Sequence, residues 1–353
     1  MKDFRKTRRK RIDAWLTAAM FLFGTLTGCG SVSDTHGDVG TPNDGKLKVV
    51  TTLFPYYDFT RQIAGDAVDL SMVIPAGQDS HSFEPTPADM ITIQNADVLI
   101  CNGGAMEHWL ERVLSAVDTS HMAVMTGMDY VDTVQEEIVE GMEEEAHGHD
   151  HDHSVDHDHS HDDLYSHDLY DDDGHGEEIE YDEHIWTSPV NAMKLVKGIE
   201  ETLALADPGN RAAYEANAES YLLKLEKLDQ EFRDVTANEK RNMIIVGDKF
   251  PYRYFADEYG LRYRAAFSGC STDTEPSAKT IAYLIDKVRE KQIPAVYYLE
   301  LSSPRVAEII GEETGAEPLL FHSCHNVTRH QFDSGVTYLE LMEQNVKNLK
   351  KGL

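Results

Sequence analysis

Histidine recurs at almost every second position between His147 and His161, in the stretch HGHDHDHSVDHDHSH. The wider range 136–183 holds 21 acidic residues and no Lys or Arg. The alternation has no apolar face to bury, so we expect a solvated loop. Imidazole suits zinc, copper or nickel, and the aspartates add oxygen ligands and a negative field that concentrates cations. This predicts an accessory metal-collecting loop; a merely soluble acidic linker is the alternative. Its nine histidines are His147, His149, His151, His153, His157, His159, His161, His167 and His175.

A second group of histidines and carboxylates follows the predicted strands. A flexible tract fixes no coordination number, so a selective site needs ligands on a more rigid frame. In parallel sheets, ligands bind beyond the carboxyl ends of the strands, where these side chains are expected to converge. Each histidine taken singly is more often a surface side chain, and only the shared position favours a metal site. The candidate ligands are His81, His184, His322, His325, Asp248 and Glu300.

The elements that must position these ligands alternate between strand and helix. Buried strands are predicted at 46–52, 68–74, 98–101, 243–246, 261–266, 295–299 and 318–321. Helices are predicted at 56–64, 86–95, 252–259, 277–291, 304–314 and 336–349. A longer helix starting at Asp207 carries apolar residues at helical spacing and is expected to be a strut over 207–235. The predicted fold class is α/β, with two lobes built on parallel sheets and a metal site in the cleft between them.

The N-terminus has the features of a secretory signal that ends in a lipidation site. The basic segment KDFRKTRRKR precedes an apolar run too short to span a bilayer, and Leu26-Thr27-Gly28-Cys29 follows. We expect cleavage before Cys29 and acylation of its thiol, so that the chain is exported and lipid-anchored to the outer face of the cell membrane, or periplasmic. The predicted segments are 1–28 as signal, 29–45 as tether, 46–206 as the N-terminal lobe with its 136–183 disordered loop, 207–235 as linking helix and 236–353 as the C-terminal lobe.

The charge balance excludes one class of partner. The formal net charge is −31 at pH 7, so the phosphates of a nucleic acid would be repelled while cations are attracted. Three cysteines remain besides Cys29, an odd number for an exported protein. Cys270 and Cys324 both follow strands of the second lobe, where a disulfide could join the two loops. The alternative is that the Cys324 thiolate binds zinc.

Several segments resemble the metal-binding lipoproteins of bacterial zinc and manganese ABC importers. The resemblance is carried by TLFPYYDF, VIPAGQDSHSFEPTPADM, ADVLICNGGAMEHWL, DEHIWTSPVNAM, ADPGNRAAYEANAESY, TEPSAKTIAYLIDKVREKQIPAVYYLE and GVTYLELMEQNVKNL, in that order. It implies two Rossmann-like lobes joined by a long rigid helix, with one metal ion between them. His81 and His184 match the first two ligands of the family.

The resemblance leaves the other ligands open. The third family ligand opens a segment like H-D-x-F-x-Y-F, and the matching segment here, GDKFPYRYF, puts Gly247 at that position. Since glycine has no ligating side chain, the third ligand is expected from Asp248 or from FHSCHN, or to be water. The fourth family ligand corresponds to a position within FHSCHN. We favour His322 as third ligand, completed by His325, Asp248, Glu300 or water.

The implied function is capture of Zn²⁺ outside the cytoplasm and its delivery to an ABC permease with its ATPase. Nitrogen-rich ligation and the His-rich range favour zinc over manganese. A secreted zinc hydrolase would need a motif such as H-E-x-x-H, which the sequence lacks, so we expect no enzyme activity. We expect a monomer. Capture of manganese or another divalent metal, and a surface adhesin or zinc buffer of the same fold, are the alternatives.

Overall fold

A computed structural model of the chain describes residues 45–142, 181–237, 240–271 and 275–353. The nine histidines of the His-rich range and Cys29 lie outside these residues, as do the predicted signal and all but Gly45 of the tether. Residues 45–353 form one unit. The structure is α/β, with two parallel four-stranded sheets, as predicted.

The N-terminal lobe is a parallel sheet with the strand order β2-β1-β3-β4. Val49 and Val50 of β1 are buried and pair with β2 on one side and β3 on the other, which places β1 inside the sheet. The elements are β1 (Leu47–Thr51), α1 (Phe54–Ala64), β2 (Val68–Met72), α2 (Pro87–Gln94), β3 (Val98–Cys101), α3 (His108–Ala116) and β4 (Ala123–Thr126).

Two helices connect the lobes. Helix α4 (Pro189–Ala206) packs along α5 (Arg211–Ala237), and α5 also contacts α1. The buried face of α5 includes Tyr214, Leu225 and Phe232, which recur at the helical spacing seen in the sequence. Because α5 reaches elements of both lobes, it forms the strut that the sequence predicts.

The C-terminal lobe repeats the parallel arrangement with the order β6-β5-β7-β8. Its central strand β5 (MIIV) is buried at every position, as expected for a strand covered on both faces. The elements are β5 (Met243–Val246), α6 (Arg253–Tyr259), β6 (Arg262–Ala265), α7 (Ala278–Lys291), β7 (Ala295–Tyr298), α8 (Arg305–Thr314), β8 (Glu317–Leu320), α9 (Arg329–Asp333) and α10 (Tyr338–Gly352).

Side-chain caps fix the helix that follows the first ligand loop. Thr86 accepts a hydrogen bond from the Asp89 backbone N–H, and the Asp89 carboxylate accepts from the Thr86 backbone N–H. This capping box, with Pro87 in the first turn, sets the start of α2 and so the end of the loop that carries His81.

Aromatic and polar contacts hold the two lobes together behind the cleft. Phe59 of α1 packs edge-on against Tyr338 of α10, with ring centroids 4.9 Å apart. The Tyr338 hydroxyl donates to the Trp186 carbonyl at 2.8 Å, and the Trp186 indole N–H donates to the Ser323 carbonyl at 2.8 Å. All three aromatic side chains are fully buried. Buried hydrogen bonds of this kind favour one fixed arrangement of the lobes.

Candidate metal centre

Three histidines from the two lobes face one another across the cleft. His81 lies on the loop between β2 and α2, His184 lies just before α4, and His325 lies on the loop after β8. The ring centroid of His81 is 6.0 Å from that of His184 and 5.8 Å from that of His325, and the last two are 6.0 Å apart. The rings form a nearly equilateral triangle, two of whose corners belong to the N-terminal lobe.

This triangle is slightly wider than one zinc ion requires. With Zn–N bonds of about 2.0–2.1 Å and tetrahedral angles, three imidazole centroids would lie roughly 5.2 Å apart. Among the described residues, no three or more His, Cys, Asp or Glu side chains lie close enough together to bind one ion. Each pair of rings would have to approach by less than about 1 Å, a movement that side-chain rotation on loops can supply.

The orientation of His184 is set by Asp182. The carboxylate oxygen Oδ1 of Asp182 lies 3.2 Å from Nδ1 of His184 and also accepts from the His184 backbone N–H at 2.8 Å. Both side chains are 2% exposed. This contact favours the tautomer with the proton on Nδ1, which leaves Nε2 free for a metal. Asp182 was not among the residues predicted from the sequence; its position two residues before His184, in DEH, is the signal that could have indicated it.

His325 is held by groups from the opposite lobe. Its Nε2 lies 2.5 Å from the Ser80 hydroxyl. Its ring stacks on Trp186, with centroids 5.8 Å apart and planes at 19°. Ser80 and Trp186 flank His81 and His184 closely in the sequence. The residues next to His81 and His184 in the sequence therefore also contact the histidine from the other lobe.

Burial keeps these rings in the form that binds metal. Burial is the main cause that lowers the pKa of His81 to about 4, and the neighbouring His184 lowers it further. The pKa of His325 is well below its ordinary value, again mainly through burial and then through His184 and His81. Since only neutral imidazole ligates a metal, both groups are ready for metal at neutral pH.

His322 does not line the cleft. Asn345 binds its backbone on both sides, accepting from the His322 N–H and donating to its carbonyl, each at 2.7 Å. Its Nδ1 accepts from the Cys324 N–H at 2.9 Å, and the side chain is 2% exposed. In the residues described, its buried Nε2 has no hydrogen-bond partner. His325, three residues further on, is the histidine of FHSCHN that joins His81 and His184.

Asp248 and Glu300 line the cleft, but both carboxylates accept hydrogen bonds from loop residues. Asp248 accepts from the backbone N–H of Lys249 at 2.8 Å and of Leu299 at 3.4 Å. Glu300 accepts from the Ser323 N–H at 2.8 Å and from its hydroxyl at 2.5 Å. Burial raises the pKa of Asp248. These contacts tie the loops after β5, β7 and β8 to one another.

Position 247 faces away from the cleft. A Cβ on Gly247 would lie 3.0 Å from the Ala307 backbone nitrogen and 3.3 Å from Val306, at the start of α8. A side chain at position 247 would point into the interior of the C-terminal lobe. The missing side chain of Gly247 therefore leaves no gap in the metal site. From the segment GDKFPYRYF, Asp248, Lys249 and Pro251 line the cleft. Lys249 was not among the residues predicted from the sequence.

The cleft encloses a cavity of about 210 Å³ next to the three rings. Its walls include His81, His184, His325, Asp248, Lys249 and Glu300. Since a water molecule takes about 30 Å³ in the liquid, the cavity has room for more than a single ion.

Both ends of the 136–183 range are ordered and lie against the fold. Gln135 and Tyr181 form an antiparallel bridge. Tyr263 donates a hydrogen bond to Glu137 at 3.0 Å, and the Cys270 N–H donates to Glu136 at 3.0 Å. The described ends, 136–142 and 181–183, therefore differ from the wholly unstructured loop that we expected over this range.

The expected disulfide between Cys270 and Cys324 is not formed, and both cysteines are free thiols in the structure. Cys324 is fully buried, and its Sγ lies 3.9 Å from the His322 carbonyl. Burial raises the pKa of both thiols, which opposes the thiolate form that a zinc ligand requires.

Among the residues that the structure describes, none of the helices combines the length and the apolar character that a membrane span needs.

The family model described as "Zinc-uptake complex component A periplasmic" matches residues 49–352. The High-affinity zinc uptake system protein ZnuA of Bacillus subtilis is 33% identical over 345 residues, covering 98% of each chain. The Zinc-binding lipoprotein AdcA of Streptococcus pneumoniae is 31% identical over 308 residues, which span 87% of this chain and 56% of that protein. The crystal structure of the Zn(II)-bound ZnuA-like domain of Streptococcus pneumoniae AdcA has a TM-score of 0.66 and 28% identity, covering 87% of this chain and 99% of that domain.

Proposed function

The chain belongs to the zinc-uptake family of ZnuA, and from that premise we propose that His81, His184 and His325 are the ligands with which it captures zinc. It is a zinc-binding protein of an ABC importer that works outside the cytoplasm, and it is not an enzyme. Its working partners are the permease and ATPase components of that importer. Zinc is its cargo, and manganese is the lesser alternative.

One observation carries the assignment of the ligands. Three imidazoles from two lobes converge on a cavity within about 1 Å of the spacing that one zinc ion requires. The nearby carboxylates of Asp248 and Glu300 already accept backbone or hydroxyl hydrogen bonds. A nitrogen-rich donor set prefers zinc to manganese, whose sites carry more carboxylate.

The ligand set is tested by metal competition. Zinc and manganese are titrated against a chromophoric chelator, with the His81→Ala variant as the control for binding outside the cleft. We expect zinc to bind at least about 100-fold more tightly than manganese, as the order of divalent metal affinities requires at an imidazole site. Equal affinity for the two metals, or unchanged zinc binding in His81→Ala, would reject the site.

Two further features of the sequence complete the proposal. The chain is anchored through a lipid on Cys29, and its His-rich range is a collector that raises the local zinc concentration. The Leu-Thr-Gly-Cys sequence supports the lipid anchor, and the acidic and histidine content of 136–183 supports the role as a zinc collector. A Cys29→Ala variant should appear in the culture medium or soluble fraction instead of the membrane fraction. Retention on the membrane would exclude Cys29 as the anchor.

A further inference from the structure

A lysine lies on the wall of the candidate zinc site. Lys249 follows β5, and its side chain is 18% exposed and lines the same cavity as His81, His184 and His325. A fixed positive charge beside a cation site opposes the binding of Zn²⁺ unless a negative group lies between them. The presence of Lys249 therefore calls for an explanation that three histidines do not provide.

The ion pair that Lys249 makes leaves most of the hydrogen-bond donors of its ammonium unused. In the described residues its ammonium pairs only with Asp79, at 3.9 Å, which is longer than a hydrogen bond. The other carboxylate oxygen of Asp79 accepts from the His81 N–H at 2.9 Å, and the side chain is 49% exposed. An ammonium has three donors, so Lys249 can still donate into the cavity.

The charge of Lys249 also reaches the ligand rings. Burial is the main cause of the lowered pKa values of His81 and His325, and the Lys249 ammonium lowers both further. Two carboxylates of the C-terminal lobe, Asp248 and Glu300, line the same cavity. Burial raises the pKa of Asp248 and the Lys249 ammonium lowers it, so Asp248 balances part of the lysine charge. The hydrogen bonds that both carboxylates accept come from backbone N–H groups and from Ser323, so in the described residues neither bonds the ammonium itself.

Three imidazoles fill three of the four coordination positions of a tetrahedral zinc ion and leave the fourth open. The cavity of about 210 Å³ beside the rings is large enough for a ligand of several non-hydrogen atoms in addition to the ion. A carboxylate in that space could place one oxygen on zinc and accept from the ammonium with the other, as carboxylates do with two partners at once.

We propose that the site takes zinc together with a small carboxylate, which fills the fourth coordination position and is held by Lys249. The cargo is then a zinc–carboxylate complex instead of the bare ion. This inference rests on the proposed zinc site and adds the chemical class of the co-ligand.

The test measures zinc affinity of the whole chain with and without acetate, at buffered free zinc so that complexation in solution is not counted. We expect acetate to tighten zinc binding at least about tenfold in the parent protein. Lys249→Met should lose this gain, and Lys249→Arg should keep it. The matched control is Lys194→Met, because Lys194 is also 3.9 Å from its carboxylate partner but on an exposed face; it should respond to acetate as the parent does.

Three outcomes are distinguishable. Parent protein that binds no zinc overturns the proposed function and this inference together. Tight zinc binding that acetate leaves unchanged overturns only the inference. An equal response to acetate in Lys249→Met and the parent also overturns it, because the carboxylate would then bind without the lysine.

Discussion

The Ser80 hydroxyl lies 2.5 Å from Nε2 of His325, across the cleft between the lobes. Ser80 directly precedes His81, so the loop that carries one proposed ligand of the N-terminal lobe also contacts the proposed ligand of the C-terminal lobe. The contact occupies the nitrogen that zinc would use if His325 bound through Nε2. In that case metal and serine compete for the same atom.

Ser80→Ala should therefore strengthen zinc binding by about 2- to 10-fold, because zinc then no longer has to break the Ser80–His325 hydrogen bond. This fold-change corresponds to the net free energy of one such bond. Chelator competition measures the change. Ser82→Ala is the control, because the Ser82 hydroxyl donates to the Asp79 carbonyl in the same exposed loop and does not touch His325. Weaker binding in Ser80→Ala would mean that the hydroxyl positions His325 for the metal instead of competing with it.

Asp182→Asn should weaken zinc binding by about 10- to 100-fold without unfolding the protein, because the amide no longer holds the Nδ1 proton of His184 as a carboxylate does. Zinc titration and thermal unfolding of the metal-free protein are measured together. Asp132→Asn is the control for the loss of one negative charge, because Asp132 is exposed and lies far from the cleft histidines in the sequence. Parent-like affinity in Asp182→Asn would show that His184 needs no such support.

Zinc binding should resist mild acid. A group whose pKa is lowered on folding stays neutral to a lower pH, so protons compete with zinc for His81 only as the pH approaches about 4. An ordinary histidine would be half protonated at about pH 6.5. We expect the zinc affinity at about pH 6 to stay within about threefold of that at pH 7.5, measured by competition titration. A tenfold loss by pH 6 would contradict the buried, neutral state of His81 and His325.

Most of the frame could be predicted from the sequence because its signals are local. Buried apolar runs give β1, β3, β5 and β7, and Thr86-Pro87 with Asp89 gives α2. Strand β4 gives no such signal, since Ala123 and Val124 are exposed. Its place at the sheet edge comes from pairing with β3, which is a long-range contact.

The ligand set could be predicted only in part. His81 and His184 follow from their loops, but the end of a strand fixes only a neighbourhood. The sequence favours His322, which directly follows a predicted strand, over His325 three residues later. In the structure Asn345, on α10, binds the backbone of His322, and Ser80 and Trp186 contact the ring of His325. These partners are distant in sequence, as is the pairing of Lys249 with Asp79.

Removal of residues 143–180 should leave one tight zinc site and abolish weaker binding. Residues 136–142 must be kept, because Glu136 and Glu137 contact the C-terminal lobe. A Gly-Ser linker of about ten residues can rejoin the chain. Calorimetric titration should show the high-affinity step unchanged and the weak steps gone. Loss of the tight step would mean that the His-rich range supplies a primary ligand.

A shorter chain without residues 136–180 provides the comparison. It also lacks the hydrogen bonds from Tyr263 and from the Cys270 N–H, so it should unfold at a lower temperature than the 143–180 deletion. Each lost hydrogen bond is worth about 1 kcal/mol. Equal unfolding temperatures would show that the ordered end of the range adds no stability.

We propose that His325, and not His322, completes the zinc site with His81 and His184. The most direct test is zinc competition titration of His325→Ala in the protein lacking residues 143–180, with His322→Ala as the histidine control from the same loop. We predict that His325→Ala weakens zinc binding by at least about 100-fold, close to 2.7 kcal/mol, and that His322→Ala changes it by less than about threefold. Zinc binding that survives in His325→Ala and is lost in a folded His322→Ala would show that His322, and not His325, is the ligand.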